Sequence, residues 1–277
     1  MSIVDFHTHA FPEALAPRAI AQLTINAAAS GYVPLTDGTT HGLIESMDRA
    51  GIERSVVCNI ATNARQMTKV NDFAVSCAAN QRLIPLGSLH PDATAVDMDH
   101  ELDRLAEAGL AGIKIHPDYV HIEIDSPAFE PILARCEARG MLVVTHAGFD
   151  PVEPNHMHCT PEMVLRVMEQ HPALKLVVAH TGGVDCEREV LEKLCGTKVY
   201  LDTSLAAVRC AKSASWGQAC EDILRAHDPS RILFATDTPW SDPASEIAFV
   251  RGIGLSEENV EKILHVNAEI LLASCIN

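Results

Sequence analysis

The sequence has few basic residues, no long apolar run and no sign of a signal peptide. Its 277 residues include 21 Lys and Arg against 37 Asp and Glu, a formal net charge of −16, so its surface field would repel a nucleic acid backbone. No stretch approaches the ~18 unbroken apolar residues of a membrane span. The first residues lack a basic segment followed by an apolar one. We therefore expect a soluble, cytoplasmic protein with neither a nucleic acid nor a membrane partner.

Paired cysteine motifs are also absent. The nine cysteines are odd in number and widely spaced, without a C-x-x-C pair, at positions 58, 77, 136, 159, 186, 195, 210, 220 and 275. A disulfide scaffold and a zinc finger need regular, closely spaced pairs, so this pattern disfavours both. It is typical of free thiols in a reducing compartment.

Eight short apolar runs alternate with segments of helical periodicity. The runs are 2–7, 54–60, 82–89, 111–116, 141–146, 174–180, 198–204 and 231–237, and clear helical segments are 39–51, 92–109, 126–140, 160–172 and 256–274. Near-continuous apolar strands that alternate with helices predict a parallel sheet, and eight such units favour a closed (β/α)8 TIM-type barrel. A doubly wound open sheet is the alternative, but no glycine-rich dinucleotide or phosphate-binding fingerprint follows any run.

The chain shows no repeat, low-complexity tract or linker, so we predict one α/β domain over residues 1–277. Residues 10–40, between the first strand and its main helix, form a long insertion that could distort the barrel. The active site of a barrel lies where the strand-to-helix loops are, so this insertion is either a lid or a loop that packs on the rim.

The opening stretch VDFHTHAFP, residues 4–12, ends the first apolar run with a His-x-His pair. His7 and His9 lie two residues apart on a strand, so their side chains point to the same face and can meet one ion. The pair alone is a weak signal, because a chance His-x-His has the same spacing. The other strand ends therefore decide its meaning.

Further residues of the metal-ligand type, and a lysine, stand at the ends of other predicted strands. In chain order the set is His7, His9, Lys114, His116, His146, His180 and Asp237. The carboxyl ends of barrel strands meet on one rim, and imidazoles that converge there without a metal would be buried and unpaired. Three nitrogens and one oxygen suit a catalytic zinc with a place left for water. The predicted zinc ligands are His7, His9, His146 and Asp237.

Seven motifs cover the whole chain in a specific order. They are DFHTHAFPE (5–13), GIKIHP (112–117), VVTHAG (143–148), LKLVVAHTGG (174–183), VYLDTS (199–204), ILFATDTPW (232–240) and ILHVNAEILL (263–272). The set resembles the amidohydrolase superfamily, in its amidohydrolase-2 branch, which includes aminocarboxymuconate-semialdehyde decarboxylase. This resemblance implies one zinc on the same four ligands, with His180 near the metal-bound water.

The predicted chemistry starts from water on the metal, because zinc lowers the pKa of a bound water toward ~7. Asp237 can take the proton, and His180 can polarise the substrate oxygen or orient the water. The leading hypothesis is a zinc-dependent hydrolase that cleaves a C–N or C–O bond (amide, ester or lactone) of a small carboxylated substrate. The alternatives are a metal-dependent non-oxidative decarboxylase or hydratase of a muconate-like acid, and a non-catalytic metal-binding barrel.

Lys114, His116 and Trp240 are the predicted substrate-binding residues. Lys114 and His116 share a strand face, and a buried unpaired ammonium is costly, so we expect Lys114 to pair with a site carboxylate or with the acid group of the substrate. The family resemblance offers a second role, a carboxylated Lys114 that bridges two metals. Trp240 is a candidate pocket wall, and Arg209 is expected to be a solvated surface residue. A homodimer is left open.

Overall fold

The computed structural model describes residues 2–275, and eight strands form the centre of the fold. They are β1 Val4–Thr8, β2 Arg54–Cys58, β3 Leu83–Leu86, β4 Gly112–Ile115, β5 Leu142–Thr145, β6 Lys175–Val178, β7 Tyr200–Asp202 and β8 Ile232–Leu233. Every paired neighbour is parallel, and helices follow each strand, so the predicted (β/α)8 barrel is confirmed. The single domain over 1–277 stays a prediction, and residues 1, 276 and 277 lie outside the described residues.

The α-helices surround these strands. They are α1 Ala16–Asn26, α2 Thr40–Ala50, α3 Met67–Cys77, α4 Ala95–Glu107, α5 Pro117–Val120, α6 Glu130–Ala138, α7 Pro161–Gln170, α8 Glu187–Glu189, α9 Ala206–Lys212, α10 Ala214–Ala226, α11 Pro243–Gly252, α12 Glu257–Glu261 and α13 Asn267–Ala273. The side chains of Thr39, Thr160 and Ser256 cap α2, α7 and α12 by accepting backbone amide hydrogen bonds. Among residues 2–275, no helix has the length and apolar character needed to cross a membrane.

The barrel consists of two arcs of paired strands, β1-β2-β3 and β4-β5-β6-β7-β8, that meet at two seams. At the seam between β3 and β4, Gly87 N donates to Gly112 O at 3.1 Å, and Lys114 N donates to Gly87 O at 2.8 Å. At the seam between β8 and β1, Phe6 N donates to Phe234 O and Asp237 N donates to His7 O, both at 2.8 Å. The second seam therefore brings the ends of the first and last strands together.

The strand β1 contains one extra residue relative to β2. Asp5 pairs with Ser55 and Thr8 pairs with Val57, so β1 advances three residues where β2 advances two. Such a bulge redirects the side chains that follow it. Asp5 also joins β1 to the segment after β8, because its carboxylate accepts from Thr236 N at 3.0 Å and from Thr236 Oγ1 at 2.6 Å. Burial raises the pKa of Asp5 to about 7.

The interior of the barrel is apolar at the amino ends of the strands. Phe6, Val144 and Val177 from three strands share one buried cluster with Leu271 of α13. Arg54, the first residue of β2, pairs with Glu269 of α13, which locates this helix beside the strand starts. The helix α13 thus closes the amino end of the barrel, and the carboxyl end is left for the functional groups.

The insertion at residues 10–40 contains α1 and extends to the loop after β8. Leu35 N donates to Pro239 O at 2.8 Å, and the Tyr32 ring centroid lies 3.5 Å from Lys212 Nζ at the end of α9. These contacts join the insertion to two loops at the carboxyl end of the barrel. Its role as a lid stays a prediction.

Glu246 of α11 is a fully buried carboxyl group, and it makes the fold sensitive to pH. Its Oε2 accepts from Ala207 N at the start of α9 at 2.9 Å. Burial raises the pKa of Glu246 from 4.5 to about 8. Between these two values the folded chain holds a proton that the unfolded chain releases, so this contribution to stability is present below about pH 4.5 and is lost as the pH rises through about 8.

Replacing Glu246 with glutamine is expected to remove the contribution of this residue to the pH dependence of stability. Glutamine keeps an acceptor for Ala207 N and cannot ionise, and one pKa unit corresponds to about 1.4 kcal/mol. We expect the variant to exceed the wild type in free energy of unfolding by about 1–2 kcal/mol at pH 8, with a smaller gain at pH 5. Urea denaturation at both pH values measures the difference, and an equal change at both would contradict the assignment.

Candidate metal centre

His7, His9 and Asp237 meet at the seam between β8 and β1. His9 Nε2 is 3.1 Å from Asp237 Oδ1, and His7 Nε2 is 3.6 Å from the same oxygen. The three donor atoms all lie within 4.8 Å of one another, so a single ion can contact them all. Two imidazole nitrogens and a carboxylate oxygen are typical ligands of a divalent first-row metal. The donor set therefore fits a metal ion.

Hydrogen bonds determine which nitrogen of each imidazole is free. His9 Nδ1 lies 2.9 Å from the carbonyl oxygen of Cys58, and His7 Nδ1 lies 2.9 Å from Asp202 Oδ2. Both partners only accept, so in a neutral ring Nδ1 carries the proton. Each Nε2 then directs a lone pair toward Asp237 Oδ1, which is itself an acceptor, and His7 Nε2 also lies 3.2 Å from Lys114 Nζ. A cation between these atoms resolves the conflict.

Asp202, at the end of β7, is a functional residue that the sequence prediction missed. Its Oδ2 accepts from His7 Nδ1, while its Oδ1 accepts from His180 N at 2.9 Å and from Ser204 Oγ at 2.5 Å. One buried carboxylate therefore fixes the orientation of His7 and the start of the loop that carries His180. The available signal was its location, since it lies two residues before the end of the predicted strand 198–204, close to where His7, His146 and His180 end theirs.

His180 and His146 contact each other directly. His146 Nδ1 lies 3.0 Å from His180 Nε2, and His180 Nδ1 lies 2.8 Å from Ser204 Oγ. Burial lowers the pKa of His180 well below its usual range, so the ring is neutral. His146 belongs to a different group, with His116 and Asp150. One ligand atom from each of these three residues lies within 4.8 Å of the other two. The role of His146 as a fourth ligand beside His7 stays a prediction.

The predicted substrate-binding residues lie around these histidines. Lys114 is buried, its Nζ is 3.2 Å from His7 Nε2, and burial lowers the pKa of the amine. The buried ring of His116 stacks on the ring of His146 at a centroid distance of 4.2 Å. Trp240 is half-buried, and its backbone amide donates to Asp237 O at 2.8 Å. Their contact with a substrate stays a prediction.

Arg209 is not the solvated surface residue that the sequence predicts. Its side chain is 1% exposed, and its guanidinium pairs with Glu187 and, at 3.4 Å, with Asp185. The ring centroid of Trp216 lies 5.5 Å from the guanidinium carbon. The physical reason is that Asp185 and Glu187, at the start of α8, neutralise the charge of the buried guanidinium.

Several non-glycine residues around the site have a left-handed backbone. Their φ angles are 65° for Asp237, 60° for His180, 56° for Thr181 and 63° for Leu205. Such conformations cost about 1–3 kcal/mol each and persist where surrounding contacts enforce them. At Asp237, the backbone hydrogen bond to His7 O supplies one such contact.

The sequence matches one protein family over nearly its whole length. The family model described as "Amidohydrolase" matches residues 4–273. The chain belongs to the amidohydrolase family. The resemblance to the amidohydrolase-2 branch is therefore confirmed, and the chain is an enzyme of a metal-dependent family. Among curated proteins, none matches this amidohydrolase chain.

Several solved structures are similar to this amidohydrolase over nearly the whole chain. One is an uncharacterised TIM-barrel protein from Bordetella bronchiseptica, with 21% identity, a TM-score of 0.75 and 99% of each chain covered. Another is 5-carboxyvanillate decarboxylase from Sphingomonas paucimobilis, with 16% identity, a TM-score of 0.70 and 98% of this chain and 99% of that chain covered. A third is a dihydroxybenzoic acid decarboxylase from Polaromonas with bound manganese and 2-nitroresorcinol, with 16% identity, a TM-score of 0.69 and coverage of 98% and 97%.

The predicted hydrolase activity is wrong. The similar structures include two named decarboxylases, which match the alternative that the sequence left open. The physical reason for the error is that a ring of histidines and one aspartate can hold the same metal for either reaction. Strand-end motifs reveal this ring, whereas the groups that select the reaction lie in loops. Zinc as the resident ion stays a prediction.

Proposed function

We propose that this amidohydrolase is a metal-dependent, non-oxidative decarboxylase of a small carboxylic acid of the hydroxyaromatic or muconate-like type. The observation that carries the proposal is the group of His7 Nε2, His9 Nε2 and Asp237 Oδ1 within 4.8 Å at the carboxyl end of the barrel. Similar structures with the same barrel include decarboxylases of hydroxylated aromatic acids, which supports this reaction over the other metal-assisted ones.

His7, His9 and Asp237 would hold the metal ion. The ion is zinc, as the sequence predicts, or manganese, as in the Polaromonas decarboxylase, because both accept nitrogen and carboxylate ligands. When bound, it supplies positive charge that polarises oxygen atoms of the substrate. Lys114 lies beside this group, 3.2 Å from His7 Nε2, and would bind the substrate as an ammonium group.

Decarboxylation breaks the bond between the substrate carbon and its carboxylate, releases carbon dioxide and forms a C–H bond at the same carbon. Asp237 would hold the proton for that carbon and deliver it as a general acid. Its side chain is 10% exposed and that of His7 is 1% exposed, so little water reaches the group. Exclusion of water favours the step, because an ionised carboxylate is less stable in such a site than neutral carbon dioxide.

His180 would have a positioning role and would not exchange a proton with the substrate. Its Nδ1 and Nε2 both have hydrogen-bond partners, Ser204 and His146, so neither nitrogen is free to exchange a proton with a substrate. Its ring stacks on that of His7 at a centroid distance of 5.3 Å and so keeps the imidazole of His7 in place. Trp240, directly after the loop residue Pro239, would form a wall of the substrate pocket.

The test is a direct assay of carbon dioxide release. Purified chain loaded with Mn²⁺ or Zn²⁺ is incubated with 5-carboxyvanillate, dihydroxybenzoates and muconate-like acids. We expect at least one acid to yield carbon dioxide and its decarboxylated product in equal amounts, with one deuterium on the product carbon when the reaction is run in D₂O. Chelator-treated protein is the control. Absence of carbon dioxide with every acid, in fully metallated protein, would overturn the proposal.

A further inference from the structure

Two cysteines lie close together where α9 meets α10. Cys210 is near the end of α9, and Cys220 is in the middle of α10. Only Ser213 separates the two helices, and its extended backbone, with a φ of −154° and a ψ of 124°, folds α10 back against α9. The bend therefore brings the two thiols onto facing surfaces of neighbouring helices.

Gly217 of α10 allows the helices to approach closely at this point. A Cβ atom at Gly217 would lie 3.2 Å from both Cβ and Sγ of Cys210, so the side chain of Cys210 lies directly on the backbone of α10. Gly217 and Cys220 are three residues apart and share the buried face of this helix. The side chain of Cys210 thereby reaches Cys220, and the two thiols share a hydrogen bond.

Cys220 also contacts the segment that carries His180. The hydroxyl of Thr181 donates its only proton to His180 O at 2.7 Å. In its contact with Cys220 Sγ, at 3.7 Å, this hydroxyl therefore accepts from the thiol. A line of hydrogen bonds runs from Cys210 through Cys220 and Thr181 to the backbone of His180.

The two thiols differ in exposure and in acidity. Cys220 is fully buried, whereas Cys210 is half-buried and can be reached from solvent. The hydrogen bond from Cys210 lowers the pKa of Cys220 from 9.0 to about 7, against the effect of burial, and raises the pKa of Cys210. Because the thiolate is the form that attacks a disulfide, the pair combines an accessible sulfur with a buried nucleophile behind it.

We propose that Cys210 and Cys220 are a site of reversible oxidation, at which a small disulfide such as glutathione disulfide converts the two thiols into one intramolecular disulfide. The sulfur of Cys210 first attacks glutathione disulfide, and its proton passes to the glutathione that leaves. The thiolate of Cys220 then attacks the sulfur of Cys210 and expels the second glutathione, which takes the proton that Cys220 released. Two electrons pass from the cysteines to glutathione disulfide, and two glutathione thiols are formed.

The disulfide would alter the turn at His180 and Thr181. A disulfide sulfur carries no proton, so the buried hydroxyl oxygen of Thr181 loses its donor when the bond forms. Both residues have a left-handed backbone, with φ of 60° and 56°, and such conformations persist where surrounding contacts enforce them. We expect the turn to open more readily in the oxidised chain. The proposal is independent of the reaction proposed above.

Peptide mapping of the full-length chain tests whether the bond forms. Reduced protein is incubated with glutathione disulfide, its remaining thiols are blocked with iodoacetamide, and it is digested with trypsin without a reductant. Cleavage after Arg209, Lys212 and Arg225 places the two cysteines in separate peptides, 210–212 and 213–225. We expect most chains to yield these two peptides joined by a disulfide that dithiothreitol cleaves.

Cys195→Ser is the matched control, because Cys195 is also half-buried and its Sγ contacts the carbonyl oxygen of Ile223 at 3.8 Å. This variant is expected to form the joined peptides as the wild type does. In Cys220→Ser, Cys210 is expected to carry a glutathione instead. Recovery of both peptides in alkylated form from the oxidised wild type would overturn the proposal, and so would glutathione on Cys210 beside an alkylated Cys220.

Hydrogen exchange measures the consequence for His180. The backbone amides of His180, Gly182 and Gly183 all donate hydrogen bonds in the structure. We expect them to exchange several-fold faster in the oxidised than in the reduced wild type, and at one rate in Cys210→Ser before and after the same treatment. Equal exchange in the oxidised and reduced wild type would overturn the link between the disulfide and His180. Neither experiment uses a substrate, so both results are separate from that of the decarboxylase assay.

Discussion

Replacing Asp237 with asparagine is expected to lower the rate of carbon dioxide release at least ~10²-fold, the usual loss when a general acid or base is removed. Asparagine has the same shape, but its amide holds no transferable proton and is a weaker metal ligand than a carboxylate. The fold should survive, because asparagine also tolerates the left-handed backbone that Asp237 has, with a φ of 65°. Turnover of metal-saturated protein measures the effect, with circular dichroism as the check on folding.

The control for Asp237→Asn is Asp103→Asn. Asp103 is an exposed carboxylate of α4 that pairs with Arg139, so the same chemical change is made away from the site. It should leave turnover unchanged. A rate within a few-fold of the wild type in Asp237→Asn would remove Asp237 from proton transfer. A normal rate per bound metal, combined with low metal content, would reduce its role to that of a ligand.

Replacing Asp202 with asparagine is expected to weaken metal affinity by about 10–100-fold, as loss of a carboxylate that orients a ligand histidine usually does. The Asp202 carboxylate accepts from His7 Nδ1, His180 N and Ser204 Oγ, whereas an amide has one oxygen and one NH₂ group. At least one of these donors would then face another donor. If His7 moves its proton to Nε2 to escape this, it loses the lone pair that faces Asp237.

Competition with a coloured chelator measures the metal dissociation constant of Asp202→Asn. The matched control is Ser204→Ala, which removes one hydrogen bond to Asp202 and keeps that between Asp202 and His7. We expect the control to bind metal at least several-fold more tightly than Asp202→Asn. Equal dissociation constants in the wild type and in Asp202→Asn would show that Asp202 supports only the fold.

The positions of the strands could be predicted because each is a local apolar run between helical segments. Their lengths could not, since tertiary contacts end them. The last predicted strand, 231–237, is observed as β8 Ile232–Leu233. Beyond Leu233 the backbone leaves the ladder, because Phe234 N donates to Ile263 O at 2.9 Å. A hydrogen bond between segments so distant in the chain has no signature in the local sequence.

The same contact explains why one predicted helix is interrupted. The segment 256–274 has continuous helical periodicity, yet the structure divides it into α12, a wider turn at Lys262–Val266, and α13. Ile263 O lies within that turn and accepts from Phe234 N, so it is drawn out of the regular helical pattern. Hydrophobic periodicity indicates which face of a helix is buried. It does not indicate which backbone carbonyl accepts a hydrogen bond from outside the helix.

For the site, the sequence indicated which residues end the strands but not which loop residues join them. His7, His9 and Asp237 are brought together because barrel strands share a rim, which is a general property of the fold. Asp118, in the short helix α5, and Asp150, in the loop after β5, lie two and four residues after His116 and His146, and the contacts that place them beside these histidines have no signature in the local sequence. The predicted hydrolysis was wrong because the residues at the strand ends do not distinguish hydrolysis from decarboxylation.

The two arcs of the barrel give a bound ion a mechanical role. His7 lies in β1 of the three-stranded arc and His9 directly follows that strand, whereas Asp237 follows the last strand of the five-stranded arc. One ion held by all three would therefore connect the two arcs across their seam, like a clamp. Such a clamp stabilises the closed ring and not the opened one, by about 1.4 kcal/mol for each tenfold excess of free ion over its dissociation constant. Metal binding and closure of the cylinder would then be thermodynamically coupled at the seam where the first strand meets the last.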